Sequence, residues 1–487
     1  MNVWTQRSLT MLVPLGLSAA VWSWRGEHAE WLVAPYLQDP GRQSMSLIWF
    51  STGTQPQAVY LDGQERTWMS QPEPAPALDY GSWERKQFPQ DCPRRTAYRH
   101  RVRLDGLEPG KRYAYRVGDR SGEFRTAPHP DQSVRFVAYA DSETEPESRG
   151  ACVDWPSTDP SVKGRKYLVD QTRGYEANLT IMEQRRPDFV VLAGDLVETG
   201  GEQRDWDEFW KHNARLASHI PLVAIQGNHE YFAGPQQGRF EPEASERAIG
   251  KFLTYFGAGR QHRYFRMDYG PLTLIGLDCC NGQPDSGPAD TNHHLTSQGS
   301  GAPDFNPGSA QYRWLEEQLK SARQSSKFTF VTFHHCGYTS GPHSLPPGKD
   351  KQSGLPTQVL TPLFQEYGVT ALINGHDEMM EYSRVGDLHV FDVGIGGDGL
   401  RSPEPVLTNP HLVFLAHRDS PERWEGGRLL DGGKHYGHLE VEVRPEGGTW
   451  KAVMTPVYVF PVQNEAAQIE RFERRVYFQP IEVVRES

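Results

Sequence analysis

Asp188-Phe189-Val190-Val191-Leu192-Ala193-Gly194-Asp195 decides how the rest of the chain is read. An apolar run this short, bounded by Pro187 and Gly194, predicts a strand buried on both faces rather than a helix. Asp195 then follows at the carboxyl end of that strand, where open α/β sheets bind their ligands. Outward in both directions the pattern repeats. Arg135 to Ala140 (RFVAYA) reads as a strand ending in Asp141, with a polar insertion from Ser142 to about Lys163 and a helix-like segment to about Arg186. A helix over about 204–218 leads to a strand at Leu222 to Ile225. Then come a strand at Leu272 to Leu277, an amphipathic helix at Gln311 to Arg323, a strand at Phe328 to Phe333, a helix at Leu360 to Tyr367 and a strand at Val369 to Ile373. This alternation predicts an α/β domain with helices covering sheet faces. Strands return at His438 to Val443 and Val457 to Phe460, and the stretch at about 436–461 is expected to complete that domain's second sheet.

Residues 30–128 read differently. Ser46-Leu47-Ile48-Trp49-Phe50 is a buried strand, and Tyr98 to Leu104 and Tyr113 to Val117 alternate at period two around Leu107-Glu108-Pro109-Gly110. Strand, Pro-Gly turn and aromatic strand predict an all-β sandwich. The acidic, Pro-rich segment 71–95 reads as a surface loop, and Thr126 to Pro130 as a linker. With 487 residues the chain is too long for one core. A net charge of −11 argues against binding nucleic-acid duplexes, which takes a basic stripe. The five cysteines, Cys92, Cys152, Cys279, Cys280 and Cys336, include no CxxC pair, and their odd number leaves at least one thiol unpaired in the monomer. Arg7 precedes the apolar stretch Leu9 to Trp22, the length of a signal-peptide core and short of the roughly 20 residues of a membrane helix. Residues 1–25 are therefore expected to be a signal peptide. The mature protein is expected to be exported, periplasmic or extracellular, with no stable membrane span.

Chemistry gathers just past the strand ends: Asp141; Gly194-Asp195; Gly227-Asn228-His229-Glu230; His334-His335; and Gly375-His376-Asp377-Glu378. Each has an ordinary reading alone. Gly-Asp after a strand is a common turn, adjacent histidines are often a satisfied buried pair, and turns favour asparagine. All five at successive strand ends point instead to a site where separate loops converge. Carboxylates, an amide oxygen and imidazoles together suit borderline and hard divalent metals.

These blocks carry a family resemblance. From Arg135 to about Arg401 the sequence resembles the calcineurin-like metallophosphoesterases, and with the preceding sandwich it is most similar to their purple acid phosphatase branch. That branch shows DxG, GDxxY, GNH(D/E), VxxH and GHxH in order. Here they read Asp141-Ser142-Glu143, Gly194-Asp195-Leu196-Val197-Glu198, Gly227-Asn228-His229-Glu230, Val331-Thr332-Phe333-His334 and Gly375-His376-Asp377-Glu378. The stretch GLEPGKRYAYRVG at 106–118 resembles a fibronectin type III-like domain. The resemblance implies an all-β sandwich over 30–128 and a ββ-sandwich flanked by helices over 133–487.

It also implies a dinuclear site. Asp195 would bridge two ions, with Asn228, His334 and His376 completing the second ion's shell. The first shell departs from the pattern three times: Glu143 stands for glycine, Glu198 for the metal-binding tyrosine, and Glu378 for the last histidine. Asp141, Asp195 and the candidate ligands Glu143, Glu198 and Glu378 make an oxygen-rich shell suited to Mn²⁺, Mg²⁺ or Ca²⁺. Two divalent ions (Mn, Zn, Mg, Ca or ferrous iron) are expected, and a ferric-tyrosinate centre is not. His229, His343 and His335 resemble the family's substrate-side histidines.

The expected activity is hydrolysis of a small phosphorylated substrate, a phosphomonoester, by metal-bound hydroxide attacking phosphorus in line. The alternatives are a phosphodiesterase or nucleotide hydrolase, and a non-catalytic module that binds a phosphate ligand. The insertion at 142–163 and the loop 281–306 are expected to overhang the site. Neither the disulfide pattern nor the oligomeric state is legible. Without a tyrosine ligand, protein reconstituted with iron should show no visible charge-transfer band; a purple protein would contradict the oxygen-rich reading.

Overall fold

Alternation in Val134–Tyr139 (β1) sends Phe136 and Ala138 to one face and Val137 and Tyr139 to the other, and both sets are buried. A strand covered on both sides needs layers on both sides, and the computed structural model supplies them. It describes residues 30–155, 165–234, 242–257, 263–280, 302–346, 349–350, 352–403 and 409–486. The expected signal segment 1–25 lies outside these residues, as do 156–163 of the insertion and 281–301 of the second loop.

The first sheet of the larger domain starts from three parallel strands, β1, Phe189–Ala193 (β2) and Leu222–Ile225 (β3). Helix Gln171–Gln184 (α1) connects the first two, and Gln203–Ala217 (α2) the last two. Buried Trp206, Phe209, Trp210, Asn213 and Ala217 recur at helical spacing on α2, the stripe that lays it onto the sheet. Asp170 caps α1, its side chain accepting the Arg173 N–H at 3.1 Å. The second sheet runs Phe265–Tyr269 (β4), Leu272–Gly276 (β5), Phe328–His335 (β6), Ala371–Gly375 (β7), Leu388–Val393 (β9), Met380–Val385 (β8) and Leu412–Leu415 (β10) in spatial order. Its strands β5, β6, β7 and β9 are mutually parallel.

The inner faces meet through Phe136, Val191, Leu274, Phe330, Ile373 and Phe391. Helix Ala310–Ser325 (α4) packs Leu315 and Leu319 on the outside of the second sheet. This is the helix-flanked ββ-sandwich. The carboxyl ends of β1, β2, β3, β6 and β7 all carry the candidate site residues.

The C-terminal strands take a different place from the one expected. Gly437–Glu446 (β11) pairs antiparallel with β1, so these strands extend the first sheet rather than the second. Thr449–Gln463 (β12) follows outward, and Ile469–Val476 (β13) and Ile481–Glu486 (β14) both pair with it, well beyond residue 461. Their inward residues Leu439, Val441 and Met454 belong to the central core. The sequence pattern marks such strands as buried but carries no sign of which edge they join.

The N-terminal part is an all-β sandwich of two four-stranded sheets, its strands lying between Trp31 and Arg125. Segment 71–95 is more than a surface loop. Gln71–Pro74 pairs with Tyr98 to Arg101, and a helix spans Ser82–Gln87. Buried Glu84 accepts the Arg204 N–H at 3.0 Å. Lys251 of helix Pro242–Phe256 (α3) donates to the carbonyls of Ala77 and Asp79 at 2.8 and 2.9 Å. Proline-rich composition hid a clamp because all its partners are distant in sequence.

Glu440 on β11 fixes the added strands. Arg474 grips it through both oxygens at 2.7 and 2.9 Å, and Arg185 stands 3.0 Å away. Burial raises its carboxyl, but the nearby His438 ring, 3.6 Å away, and the Arg474 fork outweigh this and hold it at about 2. A depressed carboxyl stabilises the fold at neutral pH, and that contribution disappears as pH falls from about 4.5 towards 2. Glu440→Gln should therefore cost about 1.5–3 kcal/mol at pH 7 and flatten the acid limb of the stability curve. Urea melts of both proteins at pH 7 and pH 3 check this; an equal difference at the two pH values would contradict it.

Candidate metal centre

Five strand ends bring the site together, and the turns at three of them are strained in a common way. Asp141, Glu143, Asp195, His376 and Glu378 have φ of 56°, 36°, 52°, 86° and 52°, five of the nine non-glycine residues with positive φ among the described residues. Side chains avoid this region unless the surroundings impose it, and such strain gathers at functional sites. The turns are also held from beneath. Buried Glu230 accepts the N–H groups of Asp195 and Leu196 at 3.0 and 2.8 Å and of Gly227 at 2.7 Å, tying the loops after β2 and β3 together. Gly227 must be glycine, since a Cβ there would lie 2.1 Å from Asp195 Oδ1.

One group of donors comprises Asp195, His334 and His376, whose ligand atoms lie within 4.8 Å of one another. His334 Nδ1 donates to the Ala193 carbonyl at 2.9 Å, which turns Nε2 towards Asp195 Oδ2 at 2.8 Å and Asp141 Oδ1 at 3.7 Å. Nε2 has no aligned hydrogen-bond partner there. With Nδ1 already protonated, a carboxylate oxygen this close requires either a second proton on the ring or a cation between them. The first option is opposed by burial but favoured by Asp195, which pushes the ring up to about 9. Lack of hydrogen-bond alignment favours the second. His376 Nε2 is spent on the Gln352 carbonyl at 2.7 Å, leaving the Nδ1 lone pair as its free donor. Asn228 sits beside them, 1% exposed, with Oδ1 lacking a hydrogen-bond partner among the described residues. Buried polar atoms are rarely left so.

The other donors are carboxylates. Asp141, Glu143 and Asp195 form one cluster, Glu143, Glu198 and His229 a second, and Glu143, Glu378 and Asp398 a third. Asp398 was not among the sequence candidates. It lies in Gly394-Ile395-Gly396-Gly397-Asp398-Gly399, just past β9, and its N–H is bonded to the Asp141 carbonyl at 3.0 Å. The rule that marks the other candidate ligands, a polar residue just past a strand's carboxyl end, applies equally here. Burial pushes the carboxyls of Glu143 and Glu378 far up, with Asp398 adding to both, and moves Asp141 to about 8. Buried carboxylates this close are costly unless cations neutralise them. Orphaned oxygen, converging donors and oxygen-rich chemistry all fit divalent metal ions, which would be held by Asp195, Asn228, His334 and His376 and by Asp141, Glu143, Glu378 and Asp398.

The substrate-side histidines divide. His229 Nδ1 donates to the Glu198 carbonyl at 2.7 Å, and Nε2 faces Glu143 and Asp195, each at 3.9 Å. The side chain of Glu198 is 36% exposed, which puts it at the rim. His343 stacks on His376 with ring centroids 4.0 Å apart, and its Nδ1 meets Asp350 at 2.9 Å. His335 differs. It has no exposed surface, its ring centroid is 4.1 Å from that of His376, and its Nδ1 lies 3.8 Å from Cys280 Sγ. That placement suits support of the His376 ring rather than contact with a substrate. All five cysteines carry free thiols.

Residues 168–378 match the calcineurin-like phosphoesterase family, and residues 34–136 match the purple acid phosphatase N-terminal domain. An uncharacterized protein of Mycobacterium tuberculosis is 27% identical over 330 residues, covering 64% of this chain and 54% of that one. Purple acid phosphatase 23 of Arabidopsis thaliana is 25% identical over 261 residues, 50% of this chain and 49% of its own. A protein named as probable inactive purple acid phosphatase 1, from the same plant, is 27% identical over 308 residues, 58% and 43%. The chain thus spans about half the length of the curated relatives it matches. Among solved structures, it is similar in fold to purple acid phosphatase PPD1 from yellow lupin (Lupinus luteus) seeds, with a TM-score of 0.60 at 17% identity over 91% of this chain and 74% of that one. PhoD is similar with a TM-score of 0.54 at 15% identity, over 94% and 92%.

The orphaned amide yields a test that needs no turnover. Asn228→Ala removes a buried acceptor that nothing satisfies, so the metal-free protein should keep its stability within about 0.5 kcal/mol. The rise in Tm on adding Mn²⁺ should shrink, because ligand binding to the native state is what produces it. A large loss in the metal-free protein with an undiminished Mn²⁺ response would contradict the assignment.

Proposed function

We propose that this chain, a calcineurin-like metallophosphoesterase of the purple acid phosphatase-like branch, is a phosphomonoesterase that works with two divalent ions. The observation that carries this reading is the approach of His334 Nε2 to Asp195 Oδ2 beside the unpartnered Asn228 oxygen. Ions held there and among the neighbouring carboxylates supply Lewis acidity, which activates water and neutralises charge on the phosphoryl oxygens.

The chain's own residues do the rest. Asp195 presents a carboxylate to both donor groups, kept ionised by His334 and His229 against the effect of burial. His334 and His376 are each held in one ring orientation by a backbone carbonyl. His229 offers Nε2 towards the cluster while Nδ1 stays anchored, the arrangement needed to bind a phosphoryl oxygen or give a proton to the leaving group. His343 stands on the opposite side against His376. His335 is assigned to support of that ring. The oxygen-rich carboxylate cluster favours Mn²⁺, Mg²⁺ or Ca²⁺ over ferric iron, so the pH optimum should lie near neutral or above.

Among the described residues no helix is long and apolar enough to cross a membrane, and we infer export from residues 1–25. The name of the inactive relative and the altered first cluster favour a second reading, a module that binds phosphate ligands without turnover.

One experiment separates the two. Metal-stripped protein reloaded with Mn²⁺, Zn²⁺, Mg²⁺ or Ca²⁺ is assayed on 4-nitrophenyl phosphate and bis(4-nitrophenyl) phosphate across pH. Metal-dependent hydrolysis of the monoester, lost in Asp195→Asn, is expected. His229→Gln should lower kcat by about 10²–10⁴-fold while ion binding is retained. No turnover with any ion, combined with intact binding of inorganic phosphate, would favour the binding module.

A further inference from the structure

Six carboxylates meet at this site: Asp141, Glu143, Asp195, Glu198, Glu378 and Asp398. If all are ionised, they outnumber the positive charges that two divalent ions bring. A phosphomonoester dianion approaching such a centre meets net repulsion unless a further cation stands at the entrance. Sequence reasoning named no such group, and the function proposed above uses none.

Arg401 occupies that position. One arm of its guanidinium, Nη2, ion-pairs with Glu378, and the other, Nη1, donates to His343 Nε2 at 3.3 Å. His343 in turn meets Asp350 through Nδ1 at 2.9 Å, so donors run from Arg401 through His343 to Asp350 across one wall of the site. The Arg401 side chain is 43% exposed, whereas Glu378 beneath it is 4% exposed, which leaves the guanidinium's remaining N–H groups directed outward from a buried anchor. A guanidinium presents a planar fork of donors that matches phosphate oxygens.

The backbone that carries Arg401 is built to hold it there. Its N–H bonds the Glu378 carbonyl at 3.1 Å. Buried Lys434 spends its ammonium on the carbonyls of Leu400 and Arg401. Leu400 is held at φ 60°, and at Gly399 any Cβ would sit 1.6 Å from Glu378 Oε2. Strain, a glycine with no room for a side chain and a buried lysine all fix one residue whose own charged end is half in solvent.

We propose that Arg401 binds the terminal phosphoryl group of the substrate and makes the site selective for phosphomonoesters over phosphodiesters. This rests on the phosphoesterase reading above. A monoester carries one more negative charge than a diester and three unsubstituted oxygens instead of two, so one more is open to the fork. Asp350, acting through His343, is a positioning residue.

The test compares wild type, Arg401→Ala and Arg401→Lys, each loaded with Mn²⁺. Metal stoichiometry is measured by elemental analysis, affinity for inorganic phosphate by calorimetry, and kcat/KM on the two nitrophenyl esters. Both variants should retain their ions. Arg401→Ala should bind phosphate at least about tenfold more weakly. Its monoester kcat/KM should fall about 10²-fold or more while its diester kcat/KM changes only a few-fold. Arg401→Lys should recover part of the loss, as a point charge without the fork. Free guanidinium added to Arg401→Ala should restore part of the monoester rate. Unchanged phosphate affinity in Arg401→Ala, or equal losses on both esters, overturns the proposal. Absence of turnover in the wild type would sink the function proposed above, yet the phosphate affinities would still decide for or against Arg401.

Discussion

Carboxylates brought together out of water repel one another and lose their hydration, and only cations placed among them make such an arrangement stable. Much of this structure is organised around that constraint. Two sheets face each other so that five strands deliver their carboxyl ends to one place. Five polar residues there accept positive φ to aim their side chains inward. Beneath them, Glu230 ties the loops after β2 and β3 into one unit through three backbone N–H groups. Backbone carbonyls of Ala193 and Gln352 orient the two buried imidazoles. These features cost conformational energy, which ions bound among the clustered carboxylates would offset.

The same constraint explains the departures from the family pattern. Replacing tyrosine and histidine by Glu198 and Glu378 exchanges softer donors for carboxylate oxygens and adds negative charge. A site altered in this way calls for a hard divalent ion on one side and an additional cation on the other. Asp398 and Arg401 lie three residues apart on one loop past β9, and that loop is pinned to Asp141 through the N–H groups of Gly397 and Asp398. The clamp formed by segment 71–95 reaches Arg204 and Lys251, so the sandwich domain braces the helices that follow β2 and β3.

Much of this was legible in the sequence, for physical reasons that differ by element. Phe189–Ala193 and Phe328–His335 announced themselves because a strand buried on both faces has nowhere to put a polar residue until it ends. The candidate ligands Asp141, Asp195, Asn228, His334 and His376 were legible because each stands where such a run stops. Other features left no local signal. β11 joins β1 through an edge choice that depends on packing between residues some three hundred positions apart. The clamp at 71–95 looks like a loop because proline and acidic residues dominate it, and its contacts are all long-range. Asp398 stands at the same kind of strand end as the others, in the glycine-rich stretch just past β9. Arg401 is an ordinary arginine until the fold places it against Glu378 and His343.

The central claim is that these buried carboxylates and imidazoles form two ion sites in one cleft. It is tested most directly by diffraction from crystals soaked in Mn²⁺, with data collected at the manganese absorption edge. Two anomalous peaks are predicted, one among Asp195, Asn228, His334 and His376, the other among Asp141, Asp195, Glu143, Glu378 and Asp398. A single peak at the first position, with Arg401 filling the carboxylate pocket in place of an ion, would contradict the two-ion account; no peak at either position would refute it altogether.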